Sequence, residues 1–243
     1  MLSVGSLKRC VNQCAILERK FSLPLVLGYL PNLETLQNLI EYANRYDFII
    51  AADECYSEIY ANQPPVGLLE ACVAFGNLDY RRCVVFHSLS KRSNVPGLRS
   101  GFVAGDAEIM RQFLLYRTYH GSAMPLAVQA ASVAAWADEI HVAANRALYQ
   151  KKFDAIMDIL TPVMSVTRSP AGFYLWAQTP IADDQFAREL YRQQNVTVLP
   201  GSFLSRIAHG LNPGQNRIRI ALVAPLEDCV EAAYRIRVFI ESL

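Results

Sequence analysis

From Asn32 onward the apolar residues fall into two alternating rhythms. In LETLQNLIEYANRY, Leu33, Leu36, Ile40 and Ala43 recur at helical spacing, which predicts an amphipathic helix. Asn32 supplies a cap, and Glu34 places an acidic group in the first turn. Tyr46-Asp47 breaks the rhythm, and FIIAA follows as a short unbroken apolar run ending at Asp53. Such a run reads as a strand of a parallel sheet, covered on both faces. Pro64-Pro65 marks a loop, and Gly67 to Ala74 a short helix. CVVFHS is the next buried strand and RSGFVAG another, with a polar loop between them. Alternation of helix and buried strand predicts a layered α/β sheet. Ligands of such sheets gather outside the carboxyl ends of the strands.

From Pro125 the pattern changes. An alanine-rich stretch predicts two helices, broken near Ala137-Asp138, the second running to Leu160. GFYLWAQ, VTVLP and RIRIALV then read as strands, while DDQFARELYRQQ and the last eighteen residues read as helices. These elements predict a smaller α+β domain. Residues 1–27 show no clean period.

Composition narrows the picture. Of 243 residues, 52% are hydrophobic and 19% charged, so the chain can bury a substantial core and is not disordered. With 23 Lys+Arg against 22 Asp+Glu, the net charge of +1 provides no general attraction to nucleic acid or to an anionic membrane. No run is apolar enough to span a bilayer. The six cysteines, Cys10, Cys14, Cys55, Cys72, Cys83 and Cys229, follow no regular framework. They predict reduced thiols in a cytoplasmic setting and no zinc or other metal site.

Candidate chemistry clusters at strand ends. In HSLSKRSNVPGLRSG, Lys91 follows the CVVF run and Arg99 comes eight positions later. A lysine at the mouth of a buried strand can be a solvated charge; partly desolvated, it can form Schiff bases. Ser88 and Ser90 suit ordinary turns, or, with Arg99, a bound phosphate. Asp53 can cap a turn or pair with a ligand cation, and Tyr56 can reach the same crevice or pack in the loop. Arg219 alternates with Arg217 in RIRIALV and so shares its face. It suits an edge charge or a bidentate grip on a carboxylate. Neither a P-loop nor a GxGxxG is present, so no nucleotide is implied.

Together these segments resemble one family. SLSKRSNVPGLRSGFVAGD is similar to the cofactor-lysine signature of class I and II aminotransferases, the fold-type-I enzymes that use pyridoxal 5′-phosphate. DECYSEIY resembles the family's aspartate-x-x-tyrosine segment, and AGFYLW and RIRIALV resemble strands of its C-terminal domain. The resemblance runs in order over residues 28–243. It implies a partial large domain, with a mostly parallel sheet and helices on both faces, over 28–125. Interdomain helices would follow over 126–160 and a small α+β domain over 161–243.

The resemblance also implies roles. Lys91 would be the Schiff-base lysine and would move a proton between the substrate and the cofactor. Asp53 would keep the pyridine nitrogen protonated, and Tyr56 would bond the ring's phenolic oxygen. Ser88 and Arg99, with Ser90, would hold the phosphate, and Arg219 the substrate α-carboxylate. An amino acid and a keto acid would be the substrates, and a homodimer the assembly. SKRSNVPGLRSGFVAGD and LYRTYHGSAMP most resemble the succinyldiaminopimelate aminotransferases of bacterial lysine biosynthesis. These imply glutamate as donor and N-succinyl-2-amino-6-ketopimelate as acceptor.

The resemblance stops at Gly28. The family's phosphate-binding glycine turn, its ring-stacking aromatic residue and its Asn-Pro-x-Gly stretch have no counterpart in this sequence. The expectation is an N-terminally truncated frame, with residues 1–27 read from the wrong frame or start. Alternative readings are a catalytically impaired remnant and a different fold-type-I enzyme such as a β-lyase.

Overall fold

A computed structural model describes residues 31–207 and 210–243. The expectations for residues 1–27, Cys10 and Cys14 among them, and for Gly28 lie outside the described residues. The chain divides into two compact units, residues 1–145 and 146–243.

In the first unit, helix α1 (Leu33–Tyr46) begins where its polar cap predicts. The Asn32 side chain accepts from the Thr35 amide at 2.8 Å, and Asp47 ends the helix in the left-handed conformation. Strand β1 (Ile50–Asp53), helix α2 (Leu68–Phe75) and strand β2 (Cys83–Ser88) follow. Leu36, Ile40 and Ala43 of α1 pack with Leu68, Ala71 and Cys72 of α2. Ile50, Cys83 and Val85 of the two strands complete this buried cluster. Its burial of apolar area supplies the main driving force for the unit. A single helical turn, α3 (Leu89–Arg92), and a 3₁₀ turn (Pro96–Leu98) lead to β3 (Gly101–Gly105). The turn α3 lies where the hydrophobic pattern predicts only a polar loop.

The sheet order is β1-β2-β3. β1 and β2 are parallel, as their continuous apolar runs imply, but β3 runs antiparallel to β2. The reason is the connection. A parallel return needs a crossover of a dozen or more residues, usually a full helix. Residues 89–100 carry only α3 and the 3₁₀ turn, so the chain doubles back. The backbones then come close, and a Cβ on Gly101 would collide with the His87 carbonyl oxygen.

Helix α4 (Ala107–Tyr119) has no counterpart in the hydrophobic pattern. Phe113, Leu114, Leu115 and Tyr116 are consecutive rather than periodic, and the helix buries none of its residues. Its start is local chemistry: Asp106 Oδ1 accepts from the amides of Glu108 at 2.9 Å and Ile109 at 3.2 Å. Two alanine-rich helices, α5 (Leu126–Ala137) and α6 (Ile140–Leu160), follow, broken where the sequence predicts.

The second unit holds β4 (Val166–Arg168), β5 (Tyr174–Gln178), α7 (Asp183–Gln194), β6 (Leu199–Pro200), the turn α8 (Gly201–Leu204), β7 (Arg217–Ala221) and α9 (Leu226–Glu241). Its four strands form an antiparallel sheet in the order β4-β5-β7-β6, so the expected α+β character is present. Leu175, Ala177, Ile218 and Ile220 of the sheet pack against Phe153 and Ile156 of α6, Phe186 and Leu190 of α7, and Ile236 and Phe239 of α9. Phe186 and Phe239 meet edge to face at 5.1 Å. The alternation of β7 sends Ile218 and Ile220 into this core and leaves Arg217 and Arg219 on the opposite face.

No helix among the described residues is long and apolar enough to cross a membrane.

Candidate active site

Because β1 and β2 are parallel, their carboxyl ends open on one edge. Asp53, the last residue of β1, stands in register with Phe86, two residues before the end of β2 at Ser88. Asp53 Oδ1 accepts from the Cys55 amide at 3.0 Å, so the carboxylate shapes the turn leading to Tyr56. The Cys55 thiol reports its surroundings. Burial first, then a hydrogen bond to Asp53 and that residue's charge, push it up to about 12, while the charge of Lys91 pulls the other way. Carboxylate and ammonium are thus neighbours around one thiol. Lys91 Nζ also lies 5.9 Å from the centroid of the Tyr56 ring, within cation–π range.

Lys91 is the third residue of α3. Leu89, fully buried, anchors the turn, and Ser88 caps it by accepting from the Ser90 amide at 3.0 Å. The Ser88 hydroxyl lies 2.8 Å from the Ser90 hydroxyl and 3.2 Å from the Ser100 carbonyl oxygen. Arg99 follows in the left-handed region with φ 51°. Its guanidinium is exposed and donates to the Pro96 carbonyl at 2.8 Å. It forms no hydrogen bond with either serine. The structure therefore groups Asp53, Tyr56 and Lys91, pairs Ser88 with Ser90, and leaves the Arg99 side chain apart. Arg219 belongs to the second unit, its guanidinium carbon 5.1 Å from the centroid of Tyr174.

Three residues at this edge escape sequence reasoning. Cys55 is one. His87 is another: its Nε2 lies 3.1 Å from Glu54 Oε2, and its ring stacks on Phe102 at 4.9 Å. Glu54 Oε1 accepts from the Leu68 amide at 2.7 Å, tying the end of β1 to the start of α2. A polar histidine interrupting an apolar strand is a signal that could have found this pair. The third is Arg92, almost fully buried beside the half-buried Lys91. Nothing in the doublet shows which of two adjacent cations turns inward.

The raised Cys55 pKa has a measurable consequence. Only the thiolate is nucleophilic, so iodoacetamide should alkylate Cys55 slowly at pH 7. The rate should climb about tenfold per pH unit toward the pKa. Asp53→Asn removes a raising charge and should move the profile to lower pH. Peptide mapping by mass spectrometry reads both; full alkylation within minutes at pH 8 contradicts the buried, carboxylate-bonded thiol.

Comparison with known proteins identifies the family. The sequence pattern of the family described as "Aminotransferase class I and II" matches residues 26–236. A crystal structure of an aminotransferase from Neisseria meningitidis Z2491 is 50% identical with a TM-score of 0.82, covering 88% of this chain and 55% of that one. A probable N-succinyldiaminopimelate aminotransferase from Thermus thermophilus is 26% identical with a TM-score of 0.76, covering 89% and 56%. The LL-diaminopimelate aminotransferase of Aquifex aeolicus is 31% identical over 212 residues, 85% of this chain and 52% of the relative. The chain spans about half the length of the curated relatives it matches. With the family pattern matched over residues 26–236 and the fold shared with a solved aminotransferase at 50% identity, the chain belongs to the class I and II aminotransferases, with the fold-type-I architecture.

Proposed function

We propose that this chain carries the lysine-bearing part of a transaminase that moves an amino group from glutamate to a keto acid, N-succinyl-2-amino-6-ketopimelate. The family uses pyridoxal 5′-phosphate. The donor set at the strand ends fits that group. It offers a carboxylate for a basic ring nitrogen, a phenol for a ring oxygen, adjacent hydroxyls for a phosphate and a primary amine for an aldehyde. The observation that carries the reading is the nearness of Lys91 Nζ, just past the end of β2, to the Tyr56 ring, 5.9 Å from its centroid and three residues beyond Asp53 at the end of the neighbouring strand.

When bound, the cofactor supplies an electron sink that acidifies the substrate Cα–H bond. Asp53 would hold a proton on the ring nitrogen by its charge. Tyr56 would orient the ring through its hydroxyl. Ser88 and Ser90, and Arg99 after a side-chain rotation away from Pro96, would hold the phosphate. Lys91 would bind the cofactor aldehyde and, once displaced, carry the proton to and from the substrate Cα. Arg219 would grip the substrate α-carboxylate. The substrate assignment is supported by the SKRSNVPGLRSGFVAGD segment and by two similar proteins whose names specify diaminopimelate or its N-succinyl derivative. A homodimer in the cytoplasm completes the reading.

A second reading, a chain that retains the signature but turns over poorly, is favoured by the Arg99 guanidinium, which is engaged with the Pro96 carbonyl rather than with the paired serines. One experiment separates the two. The purified chain is incubated with pyridoxal phosphate, its visible absorption recorded, and the adduct reduced with borohydride and mapped. Glutamate and the keto acid are then supplied and the products analysed. A pyridoxyl group on Lys91 with 2-oxoglutarate formation is the expected result. Labelling without turnover, or an unlabelled Lys91 in a folded sample, selects the second reading.

A further inference from the structure

We propose that Ser93, His141 and Asp138, with Arg92 and Asn145, form a clamp that fixes the turn carrying Lys91, so that they act as positioning residues for its amine. This rests on the reading of Lys91 given above. The need for a clamp is physical. A lone helical turn of four residues does not hold itself, because nucleating a helix costs more than its first hydrogen bonds return. Turn α3 must be fixed by its neighbours, and a displacement of about 1 Å at a reacting group can cost on the order of 100-fold in rate.

The neighbours are the end of α5 and the start of α6, which reach residues 91, 92 and 93 in turn. Asn145 Nδ2 donates to the Lys91 carbonyl at 3.5 Å. The buried Arg92 guanidinium donates through Nη1 to the Ala135 carbonyl at 2.8 Å, pairs through Nη2 with Glu139, and lies 5.0 Å from the Trp136 ring centroid. Ser93 Oγ lies 2.8 Å from His141 Nε2, and Asp138 Oδ2 lies 2.7 Å from His141 Nδ1.

A carboxylate only accepts, so His141 Nδ1 carries a proton; in the neutral imidazole Nε2 then accepts from the Ser93 hydroxyl. That hydroxyl in turn accepts from Arg92 Nη1 at 3.4 Å. Asp138 Oδ1 meanwhile accepts from the Ile140 amide at 2.8 Å, at the start of α6. The hydrogen bonds from His141 and Ile140 hold Asp138 below the usual carboxylate range, which keeps it an acceptor. Each member has a donor–acceptor role consistent with the next, the condition under which a polar network rigidifies rather than loosens a fold. The order carboxylate–imidazole–hydroxyl is also that of an acyl-transfer triad. Here the hydroxyl is additionally engaged by a buried guanidinium that is tied to Ala135 and Glu139, which suits a brace.

The test uses the full chain and three variants, Ser93→Ala, Ser93→Thr and His141→Ala. Amide hydrogen exchange is measured without cofactor. The rate of pyridoxyl incorporation at Lys91 is measured at limiting pyridoxal phosphate with borohydride trapping. Both alanine variants should exchange about tenfold faster over residues 89–93, the scale of one lost hydrogen bond, while β1 and β2 keep their protection. Incorporation at Lys91 should slow by a similar factor, and Ser93→Thr, which keeps the hydroxyl, should restore both. Unchanged exchange over 89–93, or loosening shared equally by β1 and β2, overturns the clamp. So does faster exchange with an undiminished rate at Lys91. Should the unmodified chain take no label, the cofactor reading fails, while the exchange data still decide whether the turn is braced. Should His141→Ala not fold, the Ser93 pair carries the same test.

Discussion

Lys91→Ala is expected to abolish pyridoxyl incorporation and to lower any transamination by about 10³-fold or more. The substitution removes two services at once. The amine is the nucleophile that captures the cofactor aldehyde, and it is the base that moves the Cα proton, a role worth roughly 10²–10⁴-fold by itself. Lys91 is partly buried, so the substitution should cost about 1 kcal/mol of stability, the typical value for a point change. The measurement is peptide mapping after borohydride reduction, with the far-ultraviolet circular dichroism spectrum as a check on folding. Equal labelling of the variant chain would show that pyridoxal phosphate meets some other lysine, and the assignment of Lys91 would fall. Labelling reads the assignment whatever the turnover of the unmodified chain.

Arg219→Ala should leave cofactor attachment at Lys91 intact and strike substrate binding. Truncating one side of a hydrogen-bonded charge pair costs about 2–5 kcal/mol, so kcat/KM for the amino donor should fall roughly 30- to 5,000-fold. The loss should appear mainly in KM if the grip is equally strong in substrate and transition state. Arg219→Lys keeps the charge but loses the planar fork that fits a carboxylate, and should lie between the two. Arg217 is the internal control: it shares the outward face of β7, and Arg217→Ala should be near neutral. A large loss at Arg217 with none at Arg219 would reassign the grip to its neighbour.

The local elements were legible because their signals are local. The cap at Asn32, the spacing of Leu36, Ile40 and Ala43, and the break at Ala137-Asp138 need only neighbouring residues to be read. Asp53 and Lys91 stood out because each follows an apolar run whose end can be counted. The direction of β3 was not legible in the run itself; it depends on how little structure residues 89–100 can hold. Helix α4 was hidden because its apolar residues are consecutive and it buries none of them. The brace behind Lys91 was hidden for another reason. Ser93 and His141 are 48 residues apart, and a single sequence carries no trace of a pairing at that distance. The chemical roles came from family resemblance, since spacing alone left Asp53 and Ser88 open between turn residues and ligand contacts, and the structure shows both of them serving in turns.

Arg99 carries an evolutionary tension. Its backbone occupies the left-handed region, where a side chain with a Cβ is disfavoured relative to glycine. Glycine there would relax the turn and delete the guanidinium in a single step. Selection for thermal robustness alone would favour that change, whereas selection for holding an anion at this edge would oppose it. The identity of residue 99 in descendants of this chain therefore records which pressure acted on them. A lineage that kept the fold but no longer needed the cofactor would be free to drift to glycine there while Leu89 and the buried cluster stayed unchanged.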